Sequence, residues 1–172
     1  MPAAPAPPTS PAPVEPAPQL RPWRSAPWRR ALYGSLALPA GIATFVLSLV
    51  GAAGLAGRLQ RRLVSSLLLP GAAPADRPAG RWRANAMLSI PLGVLPCLLG
   101  TYLVANSARN LLYPLFSDGS YEHSWGGPTL PGAWAVHALG WGLTVVVIGL
   151  PLMWALTWPL HRVARRLGDL RV

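Results

Sequence analysis

The sequence predicts an all-α integral membrane protein, with about three transmembrane helices plus a short interfacial amphipathic helix. Three observations carry this. Windows 31–57, 84–108 and 131–160 contain no Asp, Glu, Lys or Arg, and crossing a bilayer takes about 20 apolar residues in a helix. All fifteen Lys+Arg positions are Arg, and they gather at the window ends: Arg29 and Arg30, Arg58, Arg61 and Arg62, Arg81 and Arg83, then Arg162, Arg165 and Arg166. Tryptophans accompany them, with Trp23 and Trp28 before the first window and Trp134, Trp154 and Trp158 towards the ends of the third. Arg and Trp at such places anchor a span at the headgroup level.

A net charge of +10 and a pI near 11.6 would suit nucleic acid as well as an anionic membrane. The distribution decides: the charges flank apolar runs, and neither zinc-finger spacing nor an aromatic RNA-binding motif is present. No nucleic-acid partner is expected; the lipid bilayer is. The single cysteine, Cys97, has no intrachain partner and reads as a small apolar packing residue.

Along the chain, residues 1–27 form a Pro/Ala-rich tail that cannot bury enough apolar surface to offset ordering, so it is expected to be disordered. The remaining 28–172 reads as one membrane domain, with spans at about 31–57, 86–114 and 132–160. The first window ends in Gly51, Gly54 and Gly57, spaced either for close approach of another helix or simply as a flexible end. RLQRRLVSSLLL then suits a helix lying along the membrane surface, and a Pro/Gly loop leads to the second span, where Pro91 and Pro96 are expected to introduce kinks. Between the second and third spans lies a polar, Gly-rich loop, 117–130.

The Arg bias orients the chain. The 117–130 loop has no Arg but carries Asp118 and Glu122, so it is expected outside, with the C-terminus cytoplasmic in a multi-pass plasma-membrane topology. The first window has Arg on both flanks and is too short for two crossings. A single tilted helix, broken or kinked near Pro39, is favoured over a re-entrant dip, because unpaired backbone in lipid costs several kcal/mol per group. That choice allows the tail to lie outside.

Two repeats run through the sequence. LALPAG at 36–41 matches LSIPLG at 88–93, and RLQRRL at 58–63 matches RVARRL at 162–167. The pairs suggest a duplicated two-span unit whose first copy has lost its outer loop and most of one helix.

WRRALYGSLALPAG, LSIPLGV, NLLYPLF and GLPLMWALTWPLHRVARRL together resemble the actinobacterial sensor domain, a four-helix membrane module commonly found ahead of histidine kinase domains. The resemblance covers roughly residues 28–170. It departs in the first half, which holds one span where the family holds two, and in the kinase region, of which the sequence shows neither a phospho-acceptor motif nor a Gly-rich ATP box. The resemblance implies a sensor module, here free-standing, that relays an envelope or membrane signal to a separate kinase or regulator, or acts as a homo-oligomer. A small transporter or channel accessory subunit is the alternative, for which Thr44, Thr101 and Thr144 would be the mid-membrane polar groups.

No enzyme, catalytic residue, cofactor or metal site is expected. The candidate sensing or polar contacts are Arg109, Asp118, Glu122, His123 and His137. Asp118, Glu122 and His123 share the outer loop but lack a recognised ligand spacing, so a solvated loop is favoured over a cation site. His137 near the outer end of the third span is either a proton sensor or an interfacial hydrogen-bonding group, the latter favoured. Arg109 shares a helical face with Asn106 and Asn110; it is expected to snorkel to the headgroups, with Asp118 and Glu122 as the alternative partners.

Overall fold

Pro27 stands in the first turn of the first helix, where a missing amide hydrogen costs nothing because those donors have no intrahelical partner. The computed structural model describes residues 26–69, 79–117 and 119–168. Helix α1 is Ala26–Leu49, α2 is Ala53–Leu63, α3 is Ala79–Leu111, α4 is Tyr113–Phe116, α5 is Leu130–Thr144, α6 is Leu150–Leu156 and α7 is Trp158–Gly168. No strand occurs among the described residues. Three helical stretches are long and apolar enough to cross a membrane, Pro27–Leu49, Gly80–Leu111 and Leu130–Leu167, the make-up of a multi-pass membrane protein.

The first stretch departs from the expected span. It begins earlier, at Ala26, inside the segment assigned to the tail; residues 1–25 lie outside the described residues. It runs through Pro39 as one helix and stops at Leu49 rather than at residue 57. Gly51 takes φ +82°, a left-handed conformation open to glycine at little cost, and reverses the chain. The turn leaves little backbone unpaired: Val50 N–H donates to the Val46 carbonyl, Ala52 N–H to Leu47 and Ala56 N–H to Ala52.

The segment expected on the membrane surface packs its apolar side against protein and leaves Arg58, Arg62 and Ser66 exposed. Helix α2 continues through a wide turn, Val64–Leu68, closed by an i→i+5 bond from Leu69 N–H to the Val64 carbonyl. Ser65 and Ser66 hydroxyls donate to the Arg62 carbonyl. Val64, Leu68 and Leu69 join Tyr33 and Ala37 of α1, Trp82 of α3, and Leu160 and Ala164 of α7 in one hydrophobic cluster. The RLQRRL helix therefore has an apolar face already occupied by its own chain.

Helix α3 extends over Ala79–Leu111, with Pro91 and Pro96 inside it; neither ends it. The third stretch runs antiparallel to α3, as the pairings Trp134–Leu111, His137–Asn110 and Trp141–Ser107 show. Thr129 caps α5 by accepting from Gly132 N–H, as a threonine does before a helix start. The stretch has two irregularities, each beside a proline. A wide turn, Val145–Gly149, precedes Pro151 and loosens the backbone where the ring would press on the preceding turn. Thr157 interrupts the helix before Pro159, its hydroxyl donating to the Met153 carbonyl at 2.8 Å.

Candidate functional site

Helix α7 follows a simple amphipathic register. Met153, Thr157, Leu160 and Ala164 are all buried, and their spacings of four, three and four place them on one helical face. That leaves Trp158, Arg162, Arg165 and Arg166 on the other side. Trp158 and Arg162, four apart, are neighbours on the helix surface, and the Arg162 guanidinium lies 3.6 Å from the indole centroid. One turn earlier Trp154 receives a guanidinium from a different helix: Arg30 of α1 stacks on it at 3.7 Å. Each stack contributes about 0.5–1 kcal/mol when exposed and up to about 2 kcal/mol when desolvated.

These side chains line an open cavity of about 600 Å³, with Arg30, Trp154, Trp158, His161, Arg162, Arg165 and Arg166 around it. Among the described residues the cavity is cationic without compensation from a nearby carboxylate. Glu122 is the only acid among the described residues, and it belongs to the loop before α5. Arg30 is only 7% exposed, and its Nε has no hydrogen-bond partner. A buried guanidinium with an unused donor is costly unless an anion or water completes it. Chemically, the arrangement offers several in-plane N–H donors on guanidinium groups whose faces are held by indoles.

A second polar cluster sits at the other end of the α3–α5 pair. Asn110 Oδ1 and His137 Nδ1 lie 3.1 Å apart, and Tyr113 stacks on the imidazole with centroids 4.1 Å apart. Trp134 Nε1 donates to the Leu111 carbonyl at 2.9 Å and Trp141 Nε1 to Ser107 Oγ at 2.8 Å. Of the sequence-predicted residues that the structure describes, His137 alone enters such a network. Arg109 is exposed, and its neighbours turn elsewhere: Asn106 Nδ2 donates to the Tyr102 carbonyl and Asn110 Nδ2 to Asn106. Glu122 and His123 are exposed loop residues, and Asp118 lies outside the described residues. No group of three His, Cys, Asp or Glu that could hold a metal occurs among the described residues.

The Arg30–α7 cavity was not legible as a site. The Trp158–Arg162 spacing is readable from sequence, and His161 reads as an interfacial basic residue. The approach of Arg30 to Trp154 depends on how α1 packs, which no local pattern records. No protein-family model matches the chain, and no curated protein or solved structure does either.

Proposed function

We propose that this chain is a non-enzymatic, multi-pass sensor-type module of the plasma membrane that relays a membrane signal to a separate partner protein, as the resemblance to the actinobacterial sensor domain implies. The observation that carries the reading is the Arg30–Trp154 stack. It joins the start of α1 to the end of the third apolar stretch across an open cavity, so an occupant would contact two helices at once and bias their relative position. A ligand that binds one arrangement better than another shifts the population between them. A separate kinase or regulator is the natural receiver. Its autophosphorylation in vesicles is expected to change at least several-fold when the chain is co-reconstituted; an unchanged rate overturns the reading.

In the proposed topology the 117–130 loop is outside and the C-terminus cytoplasmic, from the Arg asymmetry. Arg30 stacks on Trp154, and Tyr33 shares a cluster with Leu160 and Val64. The start of α1 and the end of the α2 stretch therefore belong to the cytoplasmic side with α7. On this reading the first apolar stretch and α2 form a re-entrant hairpin, in place of the single crossing favoured from sequence. The objection to a re-entrant segment was open backbone in lipid, and the hydrogen-bonded turn at Gly51 largely removes it.

The transporter-accessory reading keeps one supporting observation. Thr44 Oγ1 is buried without a hydrogen-bond partner, and polar groups in a membrane interior often mark a path. Solute flux into vesicles carrying the chain alone would favour this second reading.

A further inference from the structure

Taking the sensor reading as its basis, we propose that the Arg30–α7 cavity binds the phosphodiester headgroup of an anionic phospholipid, and that this lipid is the ligand the module reads. The cavity presents four guanidinium groups and no carboxylate among the described residues. Arg30, nine-tenths buried with its Nε unpartnered, lines it. Stacking on Trp154 and Trp158 occupies the faces of Arg30 and Arg162 but leaves their edge N–H groups free. Those edges match two phosphate oxygens in a bidentate geometry.

Lipid rather than free phosphate follows from the surroundings. Trp154 and Trp158 are about half exposed beside the cavity, and Val147 and Pro151, which continue their face on the preceding turns, are exposed as well. A headgroup seated among the arginines would leave its acyl chains running along these apolar side chains. Inorganic phosphate would use the same donors and gain nothing from that surface.

The pseudo-equivalent place in the first half lacks the cavity's ingredients. Trp82 stands 52 residues after Arg30, and Gly57 stands 104 residues before His161. There Trp82 Cβ lies 4.0 Å from where a Gly57 side chain would begin. An indole and a glycine replace the guanidinium and the imidazole, although Arg58 and Arg62 remain exposed nearby.

The test is native mass spectrometry of the full chain, delipidated in detergent and titrated with short-chain phosphatidylglycerol, phosphatidylcholine or inorganic phosphate. Phosphatidylglycerol is expected to bind in preference to both. Arg162→Gln and Arg165→Gln are each expected to weaken it roughly five-fold, the equivalent of about 1 kcal/mol per Arg at an anionic lipid surface. Arg58→Gln with Arg62→Gln removes twice the charge of either single variant, elsewhere, and is expected to leave binding unchanged. Arg30→Gln, checked for folding by circular dichroism, is expected to weaken it further; should it fail to fold, Arg166→Gln takes its place. Equal binding of phosphatidylcholine, equal binding of inorganic phosphate, or equal loss in the Arg58/Arg62 variant would each overturn the proposal. The measurement needs no signalling partner, so its outcome is separate from that of the kinase assay.

Discussion

Gly41 and Gly93 are reciprocal contacts between two helices. A Cβ on Gly41 would lie 3.0 Å from Ile90 Cγ1 and from the Ala86 carbonyl, and one on Gly93 would lie 2.8 Å from Leu38 N. Gly41 and Gly93 are 52 residues apart in sequence, and so are Leu38 and Ile90. Each glycine thus meets the counterpart of the residue that meets the other, which is the signature of a two-fold relation within one chain. Burial repeats with the same offset. Arg30, Tyr33, Gly34, Ala37, Gly41 and Thr44 are buried on α1, as are Trp82, Asn85, Ala86, Ser89, Gly93 and Pro96 on α3. The hexapeptides agree too: Gln60 and Ala164, their third residues, are both buried, as are Ala56 and Leu160 four residues before.

Gly93→Ala is expected to destabilise the bundle by about 1–3 kcal/mol, because the added methyl meets backbone that has little room to yield. Gly41→Ala is expected to act in the same direction. Gly140 and Gly142 have open space where a Cβ would go, so alanine there is expected to be neutral or to stabilise by about 0.5–1 kcal/mol through helix propensity. Reversible unfolding in mixed micelles distinguishes the two pairs; equal effects would contradict the α1–α3 contact.

Thr44 is fully buried, with no partner for its hydroxyl. Thr44→Val keeps the shape and removes the orphan group, so it is expected to stabilise by about 1 kcal/mol in the same assay. A loss of stability would mean that the hydroxyl has a partner such as water or a transported solute, in favour of the transporter-accessory reading.

The Trp141–Ser107 hydrogen bond, at 2.8 Å, ties α5 to α3. Trp141→Phe and Ser107→Ala are each expected to cost roughly 1 kcal/mol. The double variant is expected to cost less than their sum, since one bond is lost once. Additive losses would show the two side chains to be independent.

Topology is open to labelling. In a Cys97→Ser background, His123→Cys is expected to react with an impermeant maleimide on intact cells. Tags fused to the N-terminus and to the C-terminus are both expected to be protected from external protease. An N-terminal tag cleaved from outside would restore the single crossing of the first apolar stretch.

The class, the three apolar stretches, the hairpin of the second and third stretches and the register of both repeats can be read from the letters alone. These depend on hydropathy and helical period, which are local and survive as runs of letters. It also marked His137 as a hydrogen-bonding residue, because a polar ring in an apolar helix needs a partner. Which side chains meet is written only in the packing. The reversal at Gly51 sets α2 back along α1, since a single left-handed residue redirects a helix without altering its composition. The apolar side of RLQRRL packs with Tyr33 and Trp82 through Leu63. Arg30, one anchor among many in the sequence, became the buried member of a cationic cavity because the packing of α1 carried it to Trp154. Amphipathicity states that a face must be covered, and only the fold states by what.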